Sequence, residues 1–397
     1  MRLKKIMSSW KLAALVGLFA LSSCSRRTIG ESLVSSSHAP APPAALPGDK
    51  RVVLVGDLHC HVSPPDGDAD VTRGFAETVE LAKREKLDFV VFTPHVPSRF
   101  FLSAPGRASV AKGQADLRAT IAAGPTDGVM FVPGFEYTDH LFGHVGVSFA
   151  ELDAVLAELP IEEANAHPER FFERWVARGG VLIVNHPLVT PLESLVKMAR
   201  YDLSWRPWTS TQAFPPEIVA IDRLAQGYEA YNVSVSELRD RFLLGDSERS
   251  IRGVVGHLDG EIVARGKPLF PAGGSDSHGH TLRATTFVLA TERSPSALHD
   301  ALLEGRTCVR SPQACTFEAR ADGGAWQPIG SAFHDVDAVE VRARGSSIDV
   351  FVNGALVGKP ESSAALKVAA TRGVCSVVRV RVDDGFSAPI YVNCPAR

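Results

Sequence analysis

Short apolar runs alternate with longer amphipathic stretches from residue 51 to about residue 190. Four runs, at residues 52–55, 89–92, 129–132 and 181–184, have the continuous hydrophobicity of buried parallel strands. Amphipathic stretches at residues 75–86, 108–123, 151–159 and 169–178 predict helices. Strands that alternate with helices predict an α/β fold, either layered or barrel-shaped.

Polar motifs follow these strands. Asp57–His61 comes after the first strand, His95 after the second, Glu136 after the third and His186 after the fourth. Parallel barrels carry their functional groups in the loops at the carboxyl ends of the strands. We therefore expect one shared site. Further candidates are Asp66 before Gly67, His144 after Gly143, and Asp276 and His278 in the polar segment 273–278. The complete set of candidate metal ligands is His59, His61, Asp66, His95, Glu136, His144, His186, Asp276 and His278.

Six imidazoles and three carboxylates form a ligand set that suits zinc, manganese or iron(II). The pair His59 and His61 alone is weak support, because such histidines are often exposed or hydrogen-bonded in a core. The series that follows them along the chain favours a shared metal site instead. Cys60 lies between the two histidines. Strand alternation should turn its side chain away from them, as a buried thiol without a role in the chemistry.

The pattern changes after Arg306, where apolar and polar residues alternate in short segments such as 339–343 and 377–382. Alternation with a period of two residues is typical of half-buried antiparallel strands. Asn353-Gly354 and Asp384-Gly385 predict turns between such strands. We predict a small β-sandwich over residues 313–397.

The first 24 residues have the layout of a signal peptide, with basic residues, an apolar run and then Leu-Ser-Ser-Cys. That ending resembles the lipobox of bacterial lipoproteins, which implies lipidation of Cys24 and anchoring in a membrane that faces the periplasm. The same resemblance implies the outer membrane, because serine and not aspartate follows the cysteine. The alternative to lipidation is ordinary signal-peptide cleavage near this position. Residues 25–50 are rich in Ser, Ala and Pro and predict a flexible tether.

The 397-residue chain is 45% hydrophobic, enough for a large packed domain and a smaller one. Loss of residues 1–23 would remove four positive charges and change the net charge from −3 to −7. Such a chain has no general attraction for nucleic acid, and none is expected as a partner. Export also permits two disulfides among Cys308, Cys315, Cys375 and Cys394, with the pairing left open.

The ordered motifs in residues 51–312 resemble those of the polymerase and histidinol phosphatase (PHP) superfamily. The resemblance implies a distorted (β/α)7 barrel around two or three divalent metal ions. It implies a first metal held by His59, His61, Glu136 and Asp276. It implies a second held by Glu136, His144 and His186, and a third held by Asp66, His95 and His278.

One motif departs from the family pattern. Pro94 stands before His95 where the family usually has aspartate, so a supporting carboxylate is lost and the third metal could be held more weakly. Asp66 followed by Gly67 matches a subgroup of the family. Asn185-His186-Pro187 and the β-rich tail look closest to the subgroup that includes carbamate-insecticide hydrolases.

Further residues near these motifs could contact a substrate. Glu229 and Asn232 lie in a segment that resembles a family motif at the rim, although strand packing explains its aromatic residues equally well. Arg283 could bind an anionic group or be a solvated arginine. His140 and His280 are adjacent to ligand motifs and could move protons.

These features predict a hydrolase that cleaves a small phosphate ester with a metal-bridged hydroxide, with Glu136 and Asp276 as catalytic residues. The same site could instead cleave a carbamate, carboxyl ester or amide. A third hypothesis is a surface binding protein that has kept its metals and lost turnover. The complete ligand set argues against that third hypothesis.

Overall fold

The structure is a computed structural model and describes residues 51–188, 204–241, 247–279 and 281–395. The predicted signal peptide, Cys24, the tether at residues 25–50 and His280 lie outside the described residues, so the statements about them stay predictions.

Ten strands build the first part of the fold. They are β1 (Val52–Cys60), β2 (Phe89–Phe92), β3 (His95–Pro97), β4 (Met130–Asp139), β5 (Gly143–Ser148), β6 (Val181–Val184), β7 (Gly227–Asn232), β8 (Phe270–Gly274), β9 (Thr286–Ala290) and β10 (Thr307–Val309). The four strands predicted from apolar runs are present as β1, β2, β4 and β6. Two of them, β1 and β4, continue beyond the apolar run into the polar motif, because those motifs pair with neighbouring strands.

Helices connect and cover these strands. Those in the described residues are Phe75–Arg84, Ala104–Ala123, Leu152–Ala157, Ile161–Ala166, Arg170–Ala177, Arg206–Thr209, Pro216–Leu224, Val233–Arg241, Ser247–Arg265 and Pro295–Leu303, with 3-10 turns at Phe100–Leu102 and Pro312–Thr316. The first helix buries Phe75, Val79 and Ala82, one face of a 3.6-residue period. The second begins where the Ser103 hydroxyl accepts the Gly106 N–H.

The central sheet is mixed, with the order β10-β9-β1-β2-β4-β5-β6-β7-β8 in its first part. Neighbours β1, β2 and β4 run parallel, as do β6, β7 and β8. Strand β5 is antiparallel to both β4 and β6, and β9 is antiparallel to β1. The four predicted strands run in the same direction, and β5, which the apolar pattern did not predict, is inserted antiparallel between β4 and β6. A short turn joins β4 to β5, and such a connection permits only antiparallel pairing.

Strands β1 and β8 approach each other at one end. Cys60 forms a single parallel bridge with Ser277, the His61 N–H donates to the Ser277 carbonyl at 3.2 Å, and the Asp276 N–H donates to the His59 carbonyl at 2.8 Å. We call this junction the β1–β8 seam. The closed seven-stranded barrel stays a prediction, because the described residues show a bridge here and no continuous ladder.

The remaining strands are short and mostly antiparallel. They are β11 (Glu318–Arg320), β12 (Gln327–Pro328), β13 (Ala332–Phe333), β14 (Ala338–Arg342), β15 (Ile348–Val352), β16 (Ala355–Gly358), β17 (Leu366–Ala369), β18 (Ser376–Val382), β19 (Gly385–Ser387) and β20 (Ile390–Val392). Strands β12-β11-β14-β17 form a separate sheet. The others join the central sheet, because β19 pairs with β10. One layer of the C-terminal strands is thus a continuation of the central sheet, and the separate β-sandwich domain with a boundary at residue 312 stays a prediction.

The two C-terminal layers share one apolar core. Val339 and Val341 of β14 lie in the same buried cluster as Val350 of β15 and Val380 of β18. The cluster continues to Phe92 of the central sheet, so the C-terminal strands also support the part of the fold that carries the polar motifs.

The cysteines pair as Cys308–Cys315 and Cys375–Cys394, which settles the pairing that the sequence left open. Cys60 is a free, fully buried thiol, as predicted. Among the residues that the structure describes, no helix is long and apolar enough to span a membrane.

Candidate metal centre

Neighbouring strands deliver the candidate ligands to one edge of the sheet. His59 lies on β1 and His61 directly after it, His95 begins β3, Glu136 lies on β4 and His144 on β5. In the register, His95 lies opposite Glu136, and Thr138 opposite His144. His186 follows β6, while Asp276 and His278 follow β8. The structure therefore brings all these side chains together, including the two that come more than 200 residues after His59.

A first group of possible metal ligands consists of His59, His61 and Asp276. Nε2 of His59 and Nε2 of His61 lie 3.2 Å apart, and Oδ1 of Asp276 lies 3.4 Å from the former and 3.2 Å from the latter. Ligands on a tetrahedral zinc ion with bonds of about 2.0–2.1 Å stand roughly 3.3 Å from one another. The observed separations fit that geometry.

A second group consists of Glu136, His144 and His186, all buried. Oε1 of Glu136 lies 3.3 Å from Nδ1 of His144 and 3.7 Å from Nε2 of His186. The same oxygen lies 3.2 Å from Nε2 of His59 in the first group. Glu136 can therefore serve both groups, as the family resemblance implies.

A third group consists of His61, His95 and His278. The resemblance implies Asp66 as the third ligand with His95 and His278. In the structure, Oδ2 of Asp66 lies 3.2 Å from Nδ1 of His61, and its Oδ1 lies 3.0 Å from Nδ1 of His95 and accepts the His95 N–H at 2.8 Å. Asp66 is thus close enough to ligate and is also placed to hold two imidazole rings. It supplies the contact to His95 that Pro94 cannot give.

Two buried polar residues, Glu229 and Asn185, form hydrogen bonds with the candidate ligands. Oε1 of Glu229 lies 3.1 Å from Nδ1 of His59, and its Oε2 accepts the His186 N–H at 2.7 Å. Asn185 donates from Nδ2 to Oε1 of Glu136 at 2.8 Å. Partners of this kind fix the ring orientation of ligating histidines and the rotamer of ligating carboxylates.

Charge around the first group favours cations. Burial alone would lower the pKa of His59, but the negative charges of Asp276, Glu229 and Glu136 hold that pKa well above its ordinary value. Burial alone would lower the pKa of His61 as well, but hydrogen bonds to Asp276 and Asp66 raise it to about 9. These carboxylates would stabilise a divalent cation for the same reason that they stabilise an imidazolium.

The carboxylates themselves stay ionised. Burial would raise the pKa of Glu136, but the neighbouring His144 and His59 hold it well below its usual range. The pKa of Asp276 is also held well below its usual range, because His59 and His61 outweigh the effect of burial. By contrast, burial and the nearby His61 lower the pKa of His278 to about 4, so this ring is neutral at pH 7 and free to ligate.

Two of the candidate ligands have an uncommon backbone conformation. His186 has φ of 29° and Asp276 has φ of 51°, both in the left-handed region that non-glycine residues seldom adopt. Such conformations persist only where the surroundings enforce them, and they concentrate at functional sites. Here they turn both side chains towards the other ligands.

The predicted substrate-contacting residues fall in different places. Glu229 and Asn232 are buried at 3% and 5% exposure, and Asn232 donates to Oε2 of Glu229 at 2.9 Å and to Oδ2 of Asp276 at 3.2 Å. Both side chains therefore contact the ligands, and both line a pocket together with His186, so their contact with a substrate stays a prediction. Arg283 is half-buried and pairs with Glu237 at 2.8 Å. His140 is exposed, with its ring centroid 5.9 Å from that of His144.

Sequence reasoning missed several supporting residues. Asp57 is fully buried, and its Oδ1 accepts the N–H groups of His59 and Ser275 at 3.0 and 2.9 Å. Burial raises its pKa to about 6. Its position two residues before His59 was the available signal, since it shares a strand face with that ligand. The supporting contacts of Asn185 had a similar signal, because this residue precedes His186 directly.

Comparison with known proteins gives only distant likenesses. No family model and no curated protein matches the sequence. Among solved structures, a two-domain protein from Bacteroides vulgatus that contains a predicted PHP-like metal-dependent phosphoesterase has a TM-score of 0.43 and 17% identity, over 89% of this chain and 95% of that one. PsfC from Pseudomonas syringae has a TM-score of 0.35 and 16% identity, over 63% and 88%.

The lesion-specific endonuclease PfuEndoQ from Pyrococcus furiosus also matches, with a TM-score of 0.35 and 15% identity, over 70% of this chain and 64% of that one. At these scores the likenesses are distant, and none of them assigns a function to this chain.

Proposed function

We propose that this protein is a metal-dependent hydrolase and that its substrate is a phosphate ester. The observation that carries the proposal is the position of Glu136. Its Oε1 faces His59 at 3.2 Å and His144 at 3.3 Å, while its Oε2 faces His95 at 3.6 Å. One buried carboxylate thus stands among all three groups of possible ligands.

The donor set supports divalent metal ions. The three groups contain imidazole nitrogens and carboxylate oxygens and no thiolate, a set that suits zinc, manganese or iron(II). Divalent cations bound there would acidify a water molecule and neutralise charge on a phosphate ester. The chain's own residues hold the ligands in place: Glu229 orients His59, Asn185 orients Glu136, and Asp66 orients His95.

Several adjoining cation positions suit a phosphate more than a carbonyl group, because a phosphate ester carries more than one anionic oxygen to be neutralised. The exposed His140 stands beside His144, with a ring-centroid distance of 5.9 Å, on the solvent side of the second group. Phosphate ester hydrolysis is therefore the reaction class that the arrangement supports best.

The test is a hydrolysis screen of the purified protein loaded with zinc, manganese or iron(II). Matched nitrophenyl phosphomonoesters, phosphodiesters, carboxyl esters and carbamates share one leaving group, so only the bond attacked differs. We expect turnover of a phosphate ester that chelation abolishes and added metal restores. Cleavage of only the carboxyl or carbamate esters would overturn the substrate class. Bound metal without turnover of any ester would favour a binding protein.

A further inference from the structure

Arg73 is a fully buried arginine that belongs to none of the sequence motifs described above. It lies between the Asp66 loop and the helix Phe75–Arg84. Its Nε donates to the Thr78 hydroxyl at 2.9 Å, which fixes the side chain to that helix.

The guanidinium of Arg73 reaches both sides of the β1–β8 seam. On the β1 side, Nη2 lies 3.0 Å from the carbonyl oxygen of His61 and 3.0 Å from Sγ of Cys60. On the β8 side, Nη1 donates to the Ser277 hydroxyl at 2.7 Å and to the Gly279 carbonyl, and Nη2 lies 3.4 Å from the Ser277 carbonyl.

Packing alone does not explain this residue. Its contacts are neutral groups, and among the described residues its guanidinium forms no ion pair with a carboxylate. Burial of a charge without an opposite charge costs stability, and an apolar residue of similar length would not incur that cost. The position is better explained by what the guanidinium holds together.

The seam carries ligands on both sides. His59 and His61 lie on the β1 side, while Asp276 and His278 flank Ser277 on the β8 side. The two backbones meet there in a single bridge with two hydrogen bonds, and the Arg73 guanidinium adds side-chain contacts to both of them. The second group, Glu136, His144 and His186, is carried by β4, β5 and the end of β6, away from the seam.

We propose that Arg73 is a positioning residue that sets the spacing of the ligands across the β1–β8 seam. It thereby controls metal affinity at the first and third groups and leaves the second group unaffected. This inference rests on the proposed metal centre, but it concerns metal binding and does not require that the substrate be a phosphate ester.

The test compares metal binding by the wild-type protein, Arg73→Lys and Arg73→Met, measured by zinc and cobalt(II) titration and by the visible spectrum of the cobalt form. Lysine keeps the charge but cannot reach acceptors on both sides of the seam. We expect affinity at the seam groups to fall by about 10–100-fold, as for other residues that support ligands. One ion should still bind with wild-type affinity, and adding His144→Ala to Arg73→Lys should weaken the binding of that ion as well.

Arg379→Lys is the matched control. Arg379 is equally buried, but it joins Asp259 of the helix Ser247–Arg265 at 2.6 Å and does not contact the ligands. We expect this variant to be less stable and to keep the wild-type metal content. Thermal unfolding of every metal-free variant separates loss of fold from loss of binding.

Three results would overturn the inference: wild-type affinity at every position in Arg73→Lys, equal weakening at all positions, or the same pattern in Arg379→Lys. If Arg73→Met does not fold, Ser277→Ala replaces it, since it removes one acceptor and keeps the arginine. Ser277→Ala is expected to shift the affinities in the same direction by a smaller factor, and unchanged affinities would count against the inference. A wild-type protein that binds no metal would contradict the proposed function instead.

Discussion

Asn185 donates a hydrogen bond from Nδ2 to Oε1 of Glu136 at 2.8 Å. The same oxygen lies 3.3 Å from Nδ1 of His144. Because the Asn185 amide holds Oε1 towards the second group, Oε2 faces Nε2 of His95 at 3.6 Å. The orientation of one buried carboxylate thus determines how the three groups are connected.

The first prediction concerns Glu136→Gln. The amide has the same size and lacks the negative charge, so it cannot neutralise cations on both sides. We expect metal affinity and hydrolysis to fall by more than the roughly 10–100-fold that loss of a supporting contact causes. Metal content and rates are to be measured on the same preparation.

Glu217→Gln provides the control for this variant. Glu217 is equally buried, but it pairs with Arg99 at 2.6 Å and belongs to none of the three ligand groups. Its metal content should match the wild type. A folded Glu136→Gln protein with full metal content and normal turnover would refute the proposed role of Glu136.

The second prediction concerns Glu229→Gln. The carboxylate faces both Nδ1 of His59 and the N–H of His186, and glutamine keeps only one oxygen to accept these two contacts. We expect about 10–100-fold weaker metal binding with an intact fold. If Glu229 instead bound substrate at the rim, the variant would change KM and leave metal affinity unchanged, and titration and kinetics together separate these outcomes.

The sequence predicted the strands β1, β2, β4 and β6 because short continuous apolar runs that alternate with helix-length amphipathic stretches are typical of buried parallel strands. It did not predict the antiparallel direction of β5. That strand is short, and its residues 143–148 contain two glycines and a histidine among few apolar side chains. Direction followed from the tight turn after β4, which the pattern of apolar residues does not encode.

Five ligand candidates could be predicted because they follow a predicted strand: His59, His61, His95, Glu136 and His186. The other four, Asp66, His144, Asp276 and His278, follow no predicted strand and were included for their place in the ordered series of motifs. The supporting residues were much harder to assign. Glu229 was placed at the rim from its motif, whereas its carboxylate lies behind His59, since a strand position alone does not tell which neighbour a side chain meets. Arg73 gave no signal, because an isolated arginine usually lies in solvent and its burial depends on contacts 204 residues away in sequence.

The third prediction compares His59→Ala with His95→Ala. The side chain of His59 is 2% exposed and contacts Glu136, Glu229 and Asp276, whereas that of His95 is 32% exposed. Loss of His59 should remove the first metal and most activity. Loss of His95 should be milder, since it affects the outermost group. Equal loss of metal in the two variants, measured by elemental analysis, would contradict this order.

The fourth prediction concerns the pH dependence of metal binding. Carboxylate neighbours hold the pKa of His59 well above its ordinary value and raise that of His61 to about 9, despite the opposing effect of burial. These shifts favour protonation of the His59–His61 pair in the metal-free protein near pH 7. An imidazolium has no free lone pair for a metal, so binding must release protons.

The sign follows from these raised pKa values. Protonation of His61 stabilises the metal-free fold fully below the unfolded pKa of about 6.5, and this contribution is lost as the pH rises through about 9. Metal competes with the same protons, so its affinity should rise between pH 6 and 9, by about tenfold per unit for each proton displaced, and level off above. Calorimetry in two buffers of different ionisation enthalpy counts the protons released.

His167→Asn, at an exposed histidine away from the ligands, should leave the pH profile of metal affinity unchanged. Affinity that is constant from pH 6 to 9, with no proton release, would show that His59 and His61 are neutral before metal binds or do not bind it.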